Sequence, residues 1–482
     1  MKNKDKLSFS TKLSYGAGCL GYGCMGNTLS NFIMFFGTSI MGISGTLVGI
    51  AMAIASLWDG VSDPFVGHLS DNTRNKFFGR RLGYMFFGSF AIALLNILIW
   101  TMPASLGQTG KFIWLLLSLL GIETANTFFG TPYSALGIDI APDYNEQSKV
   151  QSYKTMFSII GMILPSILMY LFMPSSISIG IQTQFSQEGY INIAYVNSAM
   201  VLVCGAIAVF GTLRQVQRYN HNMFSFEKEK FHLGKLMLGY VEVLKKRDFR
   251  SVILGYSMAL IASAFLTGVG MHLFTYCYHF SSAQISIALI ALFGGAIASQ
   301  PLWIYAARRL DKKRALIISL SLIVLGIALL ILTFLFRAYV VPEKMFFIVL
   351  PCIIFAGLGA GAMYSLPMSM YADVVTLEMY KTGKNNAGQY SGFFTFTYNL
   401  ANSIALLIIG FLLDIIKFDS TQPVQAMSVQ NGLGTIVFCG CSIALALSIL
   451  IFSNYSIKRS DVLKVQLMEA REENNLPQNA NN

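Results

Sequence analysis

Residues 57–81 read LWDGVSDPFVGHLSDNTRNKFFGRR. An apolar helix carrying Asp59 and Asp63 one turn apart runs here into a loop with Arg74, Lys76, Arg80 and Arg81. Residues four apart share a helix face, with Cβ atoms roughly 5–6 Å apart, so the two carboxylates stand side by side. An apolar run that ends in a cluster of basic residues reads as a membrane helix leaving on the cytoplasmic side. The whole composition agrees. Of 482 residues, 54% are hydrophobic and 12% charged, against about 25% charged in a soluble domain. The net charge of +11 is therefore read as positive-inside topology, and no nucleic-acid partner is expected.

Outward from this stretch, a bilayer core of about 30 Å demands roughly 20 apolar residues per helix, and the chain holds twelve such runs: 13–37, 45–69, 82–103, 112–136, 155–173, 191–213, 251–278, 283–306, 315–336, 345–371, 388–413 and 432–453. The fold class expected is an all-α membrane protein of twelve transmembrane helices in two six-helix halves. The first run is too long for a signal-peptide core and is expected to stay as an uncleaved helix. All but four of the 34 basic residues fall on the side of the N-terminus; the other face has only Lys111, Arg337, Lys344 and Lys417. Both termini are thus expected in the cytoplasm of a plasma-membrane protein, with no basic residue inside a span. Residues 1–213 form the first half and 251–453 the second. Between them, 214–250 is a basic linker with an amphipathic stretch KLMLGYVEVLKKRDF, and 454–482 is a polar tail expected to be largely disordered. The halves echo each other: GTPYSALGID at 130–139 resembles YSLPMSMYAD at 364–373, and SDPF at 62–65 resembles SQPL at 299–302. Parallel repeats of this kind mark the major facilitator arrangement.

An ionised carboxylate at the bilayer centre costs at least about 2.5 to 3.5 kcal/mol. With no Lys or Arg in any span, Asp59 and Asp63 should take up a proton or bind a metal cation through oxygen ligands; the alternative is a helix end where both meet water. Glu123 is a third acidic residue at depth, facing the cavity or held neutral by a neighbouring helix, and Thr127 one turn on offers a hydroxyl as a further ligand. A cavity with two or three carboxylates and no basic residue should reject anions. Asp71 against Arg74, Arg80 and Arg81 is placed to gate the cytoplasmic side, either latching the halves or satisfying helix ends and lipid phosphates. Asp139, Asp143 and Glu146, and Asp373, Glu378 and Lys381, sit where similar pairs would form. The aromatics Tyr390, Phe393, Phe394, Phe396 and Tyr398 could stack on a sugar, though any apolar helix contains such residues. His272 is expected to be a hydrogen-bonded packing residue. The seven cysteines lie in apolar runs without metal-like spacing. No P-loop or nucleophile elbow argues for an enzyme or an ATP-driven pump.

The segments TKLSYGAG (11–18), WDGVSDPFVGHLSD (58–71), TPYSALGIDIAPDYNEQSKVQSYKTMF (131–157), LKKRDFRSVIL (244–254) and ADVVTLEMYKTGKNN (372–386) resemble the glycoside-pentoside-hexuronide:cation symporters, the melibiose permease-like carriers of the major facilitator superfamily. That resemblance implies sodium or proton coupling at Asp59 and Asp63, with Ser62 where the family's melibiose permease has Asn and Thr127 at its helix 4 hydroxyl near the cation. Tyr22, Glu123, Tyr153, Tyr390 and Asn399 are the candidates for contact with substrate. The sugar grip is altered: Gly23, Gly130, Ser134 and Thr155 stand where the permease has Asp, Asp, Trp and Arg, while Tyr22 and Asn399 replace two lysines. The function expected is therefore cation-coupled symport of a sugar or glycoside, without a cofactor beyond the coupling ion and as a monomer. The alternatives are a neutral, cationic or lipid-like amphipathic solute, or a non-transporting sensor.

Overall fold

The computed structural model describes residues 7–73, 75, 77–141, 144–173, 183–220, 245–382, 387–422, 424–465 and 468. They form twelve long helices: α1 (Phe9–Phe35), α2 (Gly45–Asp71), α3 (Leu82–Trp100), α4 (Gln108–Asp139), α5 (Tyr144–Phe172), α6 (Gln187–Asn220), α7 (Arg247–His272), α8 (Ser282–Ala298 and Gln300–Leu310), α9 (Lys312–Leu335), α10 (Pro342–Thr382), α11 (Ala387–Ile415) and α12 (Met427–Ser453). Ten of these are long and apolar enough to cross a bilayer. The two arms of α8, bent by 40° at Ser299 just before Pro301, make an eleventh span. The glycine-rich α1 is more polar. It completes the set by lying along α5, α6 and α7. Hydroxyls start several helices: Ser8 accepts from Thr11 N–H, Ser44 from Leu47 N–H, and Ser281 closes a capping box with Gln284, which satisfies the otherwise orphaned first-turn donors.

The packing repeats six helices on. α1 packs on α5 and α6, as α7 does on α11 and α12; α4 packs on α2 and α3, as α10 does on α8 and α9; α3 meets α6 as α9 meets α12. Both α1 and α7 end in a π-helical turn, Phe36–Ile40 and Leu273–Cys277. Between halves the contacts are α2 with α11, its counterpart α5 with α8, and α1 with α7 on the pseudo-axis. This is the major facilitator fold expected from the hydropathy.

Two expectations need correction or limits. The tail was expected to be disordered from Asn454, yet Asn454–Val465 packs beneath the second half. Ser456 N–H donates to Asp248, Arg459 N–H to Asp311, and Val462 and Val465 pack with Leu377. The reason is that this segment finds partners at the start of α7, at the junction of α8 and α9, and near the end of α10. Residues 221–244, most of the expected amphipathic linker, lie outside the described residues.

Among the described glycines the tightest approach to a neighbouring backbone is between α2 and α11. A Cβ added at Gly410 would lie 2.2 Å from the Gly45 carbonyl oxygen, while one at Gly26 would meet nothing within 4 Å. Gly410→Ala is therefore expected to lower stability by about 1–3 kcal/mol, and Gly26→Ala to be neutral or stabilising. Thermal unfolding of the two purified variants in detergent checks this; equal melting temperatures would mean that the α2–α11 seam tolerates a methyl group.

Candidate functional site

Two helices bring matching four-residue spacings together. Asp59 and Asp63 on α2 face Thr127 and Thr131 on α4: the Thr127 hydroxyl donates to Asp59 at 3.3 Å and the Thr131 hydroxyl to Asp63 at 2.8 Å. Ser62 Oγ lies 2.9 Å from Thr127 Oγ1. The second oxygen of Asp59 accepts from the Asn399 amide on α11 at 2.9 Å, across the boundary between halves. Two carboxylates and three hydroxyls make an all-oxygen donor set, the chemistry that suits a hard cation. Thr131 was missed in the sequence reading, although its spacing from Thr127 copies that of Asp63 from Asp59.

Both aspartates line a cavity of about 580 Å³ built from α1, α2, α4, α5 and α11. Tyr22 closes one wall. Its phenol lies where a side chain at residue 130 would project, since a Cβ on Gly130 would sit 3.1 Å from the Tyr22 hydroxyl. From α5 the lining gains Lys154, which donates to Ser134 Oγ at 2.9 Å and lies over the Tyr133 ring, 5.4 Å from its centroid. Lys154 lies one residue before the span expected at 155–173, yet it is carried by α5, which starts at Tyr144, and it lines the cavity, because polar first turns hide the start of a helix from hydropathy. An anion in this cavity meets a cation as well as two carboxylates.

The other candidates are spread more widely. Glu123 accepts from the Asn126 amide at 3.1 Å, and Asn126, not Glu123, lines the cavity. Tyr153 packs edge-on against Phe9. Tyr390 sits at the chain-terminal end of the bundle, accepting from Lys246 at 2.6 Å and packed on Phe249. Neither tyrosine is brought to the cavity. Of the helix 11 aromatics, Tyr398 lines it while Phe394 stacks on Tyr256. His272 is a buried packing residue bonded to the Thr38 hydroxyl at 2.7 Å.

The two ends of the bundle are built differently. At the end carrying the termini, Arg80 and Arg81 pair with Asp139, Arg81 pairs with Asp71 at 3.0 Å, and Lys12 with Glu146 at 2.7 Å, all within the first half. Lys246 with Glu378 and Lys312 with Asp373 at 2.5 Å lie within the second. These pairs staple helices inside one half, where a latch between halves was one of the two expected roles; Arg74 and Asp143 lie outside the described residues. At the opposite end the halves touch. Asp414 on α11 accepts from the backbone N–H groups of Gly45 at 2.8 Å and Thr46 at 2.9 Å, capping α2, and Thr183 Oγ1 lies 2.7 Å from Ser282 Oγ. The cavity residues all lie between the aspartates and the chain-terminal end. The site therefore opens towards the termini and is sealed from the other side.

Residues 14–459 match the family described as MFS/sugar transport protein. An uncharacterised symporter of Synechocystis sp. is 25% identical, covering 88% of this chain and 89% of its own. The sodium-dependent lysophosphatidylcholine symporter 1 of Mus musculus is 23% identical, covering 95% and 87%. Among solved structures, a bacterial homologue of the human lysosomal transporter Spinster, in an inward-facing and unoccupied conformation, superposes with a TM-score of 0.63 at 13% identity, covering 94% of this chain and 98% of that one. The nucleoside transporter NupG gives 0.58 at 14%, covering 93% and 100%. At such identities the likeness carries the fold alone, and these matches do not single out the glycoside branch.

Hydrogen bonds from Lys12 and Lys149 hold the Glu146 carboxyl at about 2, below its ordinary 4.5. A carboxylate lowered in this way stabilises the fold above pH 4.5, and that contribution is lost as pH falls through about 2. Glu146→Gln is expected to lower the melting temperature at pH 7 and to flatten the loss of stability between those two values. Thermal unfolding across that range measures it; parallel curves for both proteins would remove Glu146 from the account.

Proposed function

The chain belongs to the MFS/sugar transport protein family and is a secondary transporter of a small solute, and from that premise we propose that it is a cation-coupled symporter of a lipid-like amphipath with a phosphate-bearing, zwitterionic head. The observation that carries this reading is the polarity of the cavity, which sets Lys154 on one wall against Asp59 and Asp63 on another. Sugar hydroxyls can be held by charged groups of either sign, but they bring no charge of their own to either wall. A zwitterionic head does: its phosphate pairs with Lys154, and its cationic end turns towards the acidic wall with Tyr22, Tyr133 and Tyr398 alongside. The lysophosphatidylcholine symporters among the relatives support the same class, and the positions that grip a sugar in the melibiose permease-like branch hold Gly23, Gly130, Ser134 and Thr155 here. Membership of that branch, with a glycoside as solute, is the second reading; the helix 2 motif favours it.

The coupling cation is assigned to Asp59 and Asp63, with Ser62, Thr127 and Thr131 completing the oxygen set. Na⁺ fits such donors, and H⁺ is the alternative. The end bearing the basic residues is taken as cytoplasmic, so the form described is open to the cytoplasm. Asp59 is the hinge of coupling because its other oxygen holds Asn399 of the opposite half. A cation that draws Asp59 towards itself weakens the bond to α11, so cation binding and the rocking of the halves are linked. This assigns Asn399 to the cation side of the site.

Uptake of a fluorescent lysophosphatidylcholine into proteoliposomes under imposed Na⁺ or H⁺ gradients tests the proposal against a panel of glycosides. Asp59→Asn and Asp63→Asn are expected to abolish gradient-driven accumulation while the proteins stay folded. Lys154→Gln should weaken lysophosphatidylcholine roughly tenfold or more, the usual scale for a charge-assisted hydrogen bond, and leave a phosphate-free monoacylglycerol unaffected. Accumulation of a glycoside with no lysophospholipid uptake would return the protein to the sugar reading, and binding without accumulation would make it a sensor.

A further inference from the structure

The second repeat departs from the first at the chain-terminal end of α8. In the first half α2 runs unbroken to Asp71, which pairs with Arg81, while Arg80 and Arg81 both pair with Asp139. In the register that sets SDPF on SQPL, the position of Asp71 falls on Arg308, and Arg309 follows it. The acid has become a base. α8 also bends by 40°, and its second arm, Gln300–Leu310, is tied to α10: Gln300 donates to the Gly361 carbonyl at 2.9 Å and Trp303 to the Leu358 carbonyl at 2.7 Å. Trp303 is the one buried residue of this arm.

The exposed residues of the arm are ordered. Ile304 and Tyr305, 51% and 60% exposed, stand one turn before Arg308 and Arg309, which are exposed as well. Residues four apart share a helix face, so one face is apolar first and basic at its end. The Arg309 guanidinium lies 5.6 Å from the Tyr305 ring centroid. A third guanidinium joins from the tail, where Arg459 donates from Nη1 to the Arg308 carbonyl at 3.0 Å. Among the described residues no carboxylate forms an ion pair with any of the three. Asp311, between them in the fold, accepts from the Arg459 backbone N–H instead.

Three like charges gathered without a counter-charge repel, and an anion among them relieves the repulsion. At the surface of a membrane the anions at hand are lipid phosphates. We propose that this arm of α8 is a docking site for one anionic phospholipid of the leaflet at the chain-terminal end, its phosphate on Arg308, Arg309 and Arg459 and its acyl chains along Ile304 and Tyr305. The apolar turn before the arginines selects a lipid over a dissolved anion, because a free phosphate has nothing to lay against it. An aromatic ring just below a basic pair is also the arrangement that suits the head-group layer. None of these residues lines the cavity of the carboxylate pair, so the docked lipid is distinct from the solute, and the inference stands apart from the reading of what is transported.

The test is native mass spectrometry of the purified full chain with dioleoyl phosphatidylglycerol and dioleoyl phosphatidylcholine, which share their chains and differ in net charge. Wild type is expected to hold one phosphatidylglycerol roughly tenfold or more tightly than phosphatidylcholine, as several arginines beside one anionic head group act together. Arg308→Gln with Arg309→Gln should lose that preference. Arg247→Gln with Arg250→Gln, the same change of charge at the start of α7, should keep it, and excess inorganic phosphate should leave the lipid in place. Should the first pair fail to fold, the wild-type preference and the single variant Arg309→Gln still decide. Equal affinity for the two lipids in wild type overturns the proposal, and so does a preference that survives loss of both arginines or falls as far in the α7 pair. Displacement of phosphatidylglycerol by inorganic phosphate makes the patch a site for dissolved anions and overturns the lipid.

Discussion

Two carboxylates one turn apart in a membrane-spanning helix are the constraint on which the rest depends. In water the pair would need no explanation; at depth each charge must be neutralised or solvated by something the protein supplies. The chain supplies hydroxyls in the same register on α4 and an amide from α11. These groups soften the cost without cancelling the charge, since a hydroxyl or amide donates a dipole and no net positive charge. The remaining deficit is what the proposed coupling cation would make good. The close fit of α2 to both α4 and α11 follows from the need to bring those donors within reach.

Much of this was legible beforehand. Spans follow from hydropathy because the bilayer leaves the backbone no other choice, and the two-half plan showed in SDPF against SQPL. The second half turns out to carry a neutral copy of the helix 2 turn: Gln300 stands where Asp63 does and donates to the Gly361 carbonyl. The cost of a carboxylate at depth singles out Asp59 and Asp63, and both line the cavity. What failed was orientation around a helix axis. Tyr153 and Tyr390 looked suited to a substrate, yet nothing in an apolar helix says which face an aromatic presents. Lys154 was assigned to a loop because polar first turns disguise the start of α5, and this error hid the cation that makes the cavity bipolar.

The two ends of the bundle also answer different needs. At the chain-terminal end, ion pairs make each half rigid. At the other end the contact is a carboxylate on a helix terminus and a seam of glycines. Separating the halves there breaks the two bonds from Asp414 to the start of α2 together with the Thr183–Ser282, Ser282–Met173, Gln184–Phe280 and Thr38–His272 hydrogen bonds, so the seal is a set of directional bonds fixed in geometry.

That arrangement bears on how the protein answers its ionic surroundings. In the form described each of these ion pairs lies within its own half, so the dissolved electrolyte that screens them acts on the rigidity of the halves. Under the coupling proposed above, the driving ion acts on the two halves through the cavity they share, while the pairs at the chain-terminal end answer to ionic strength alone.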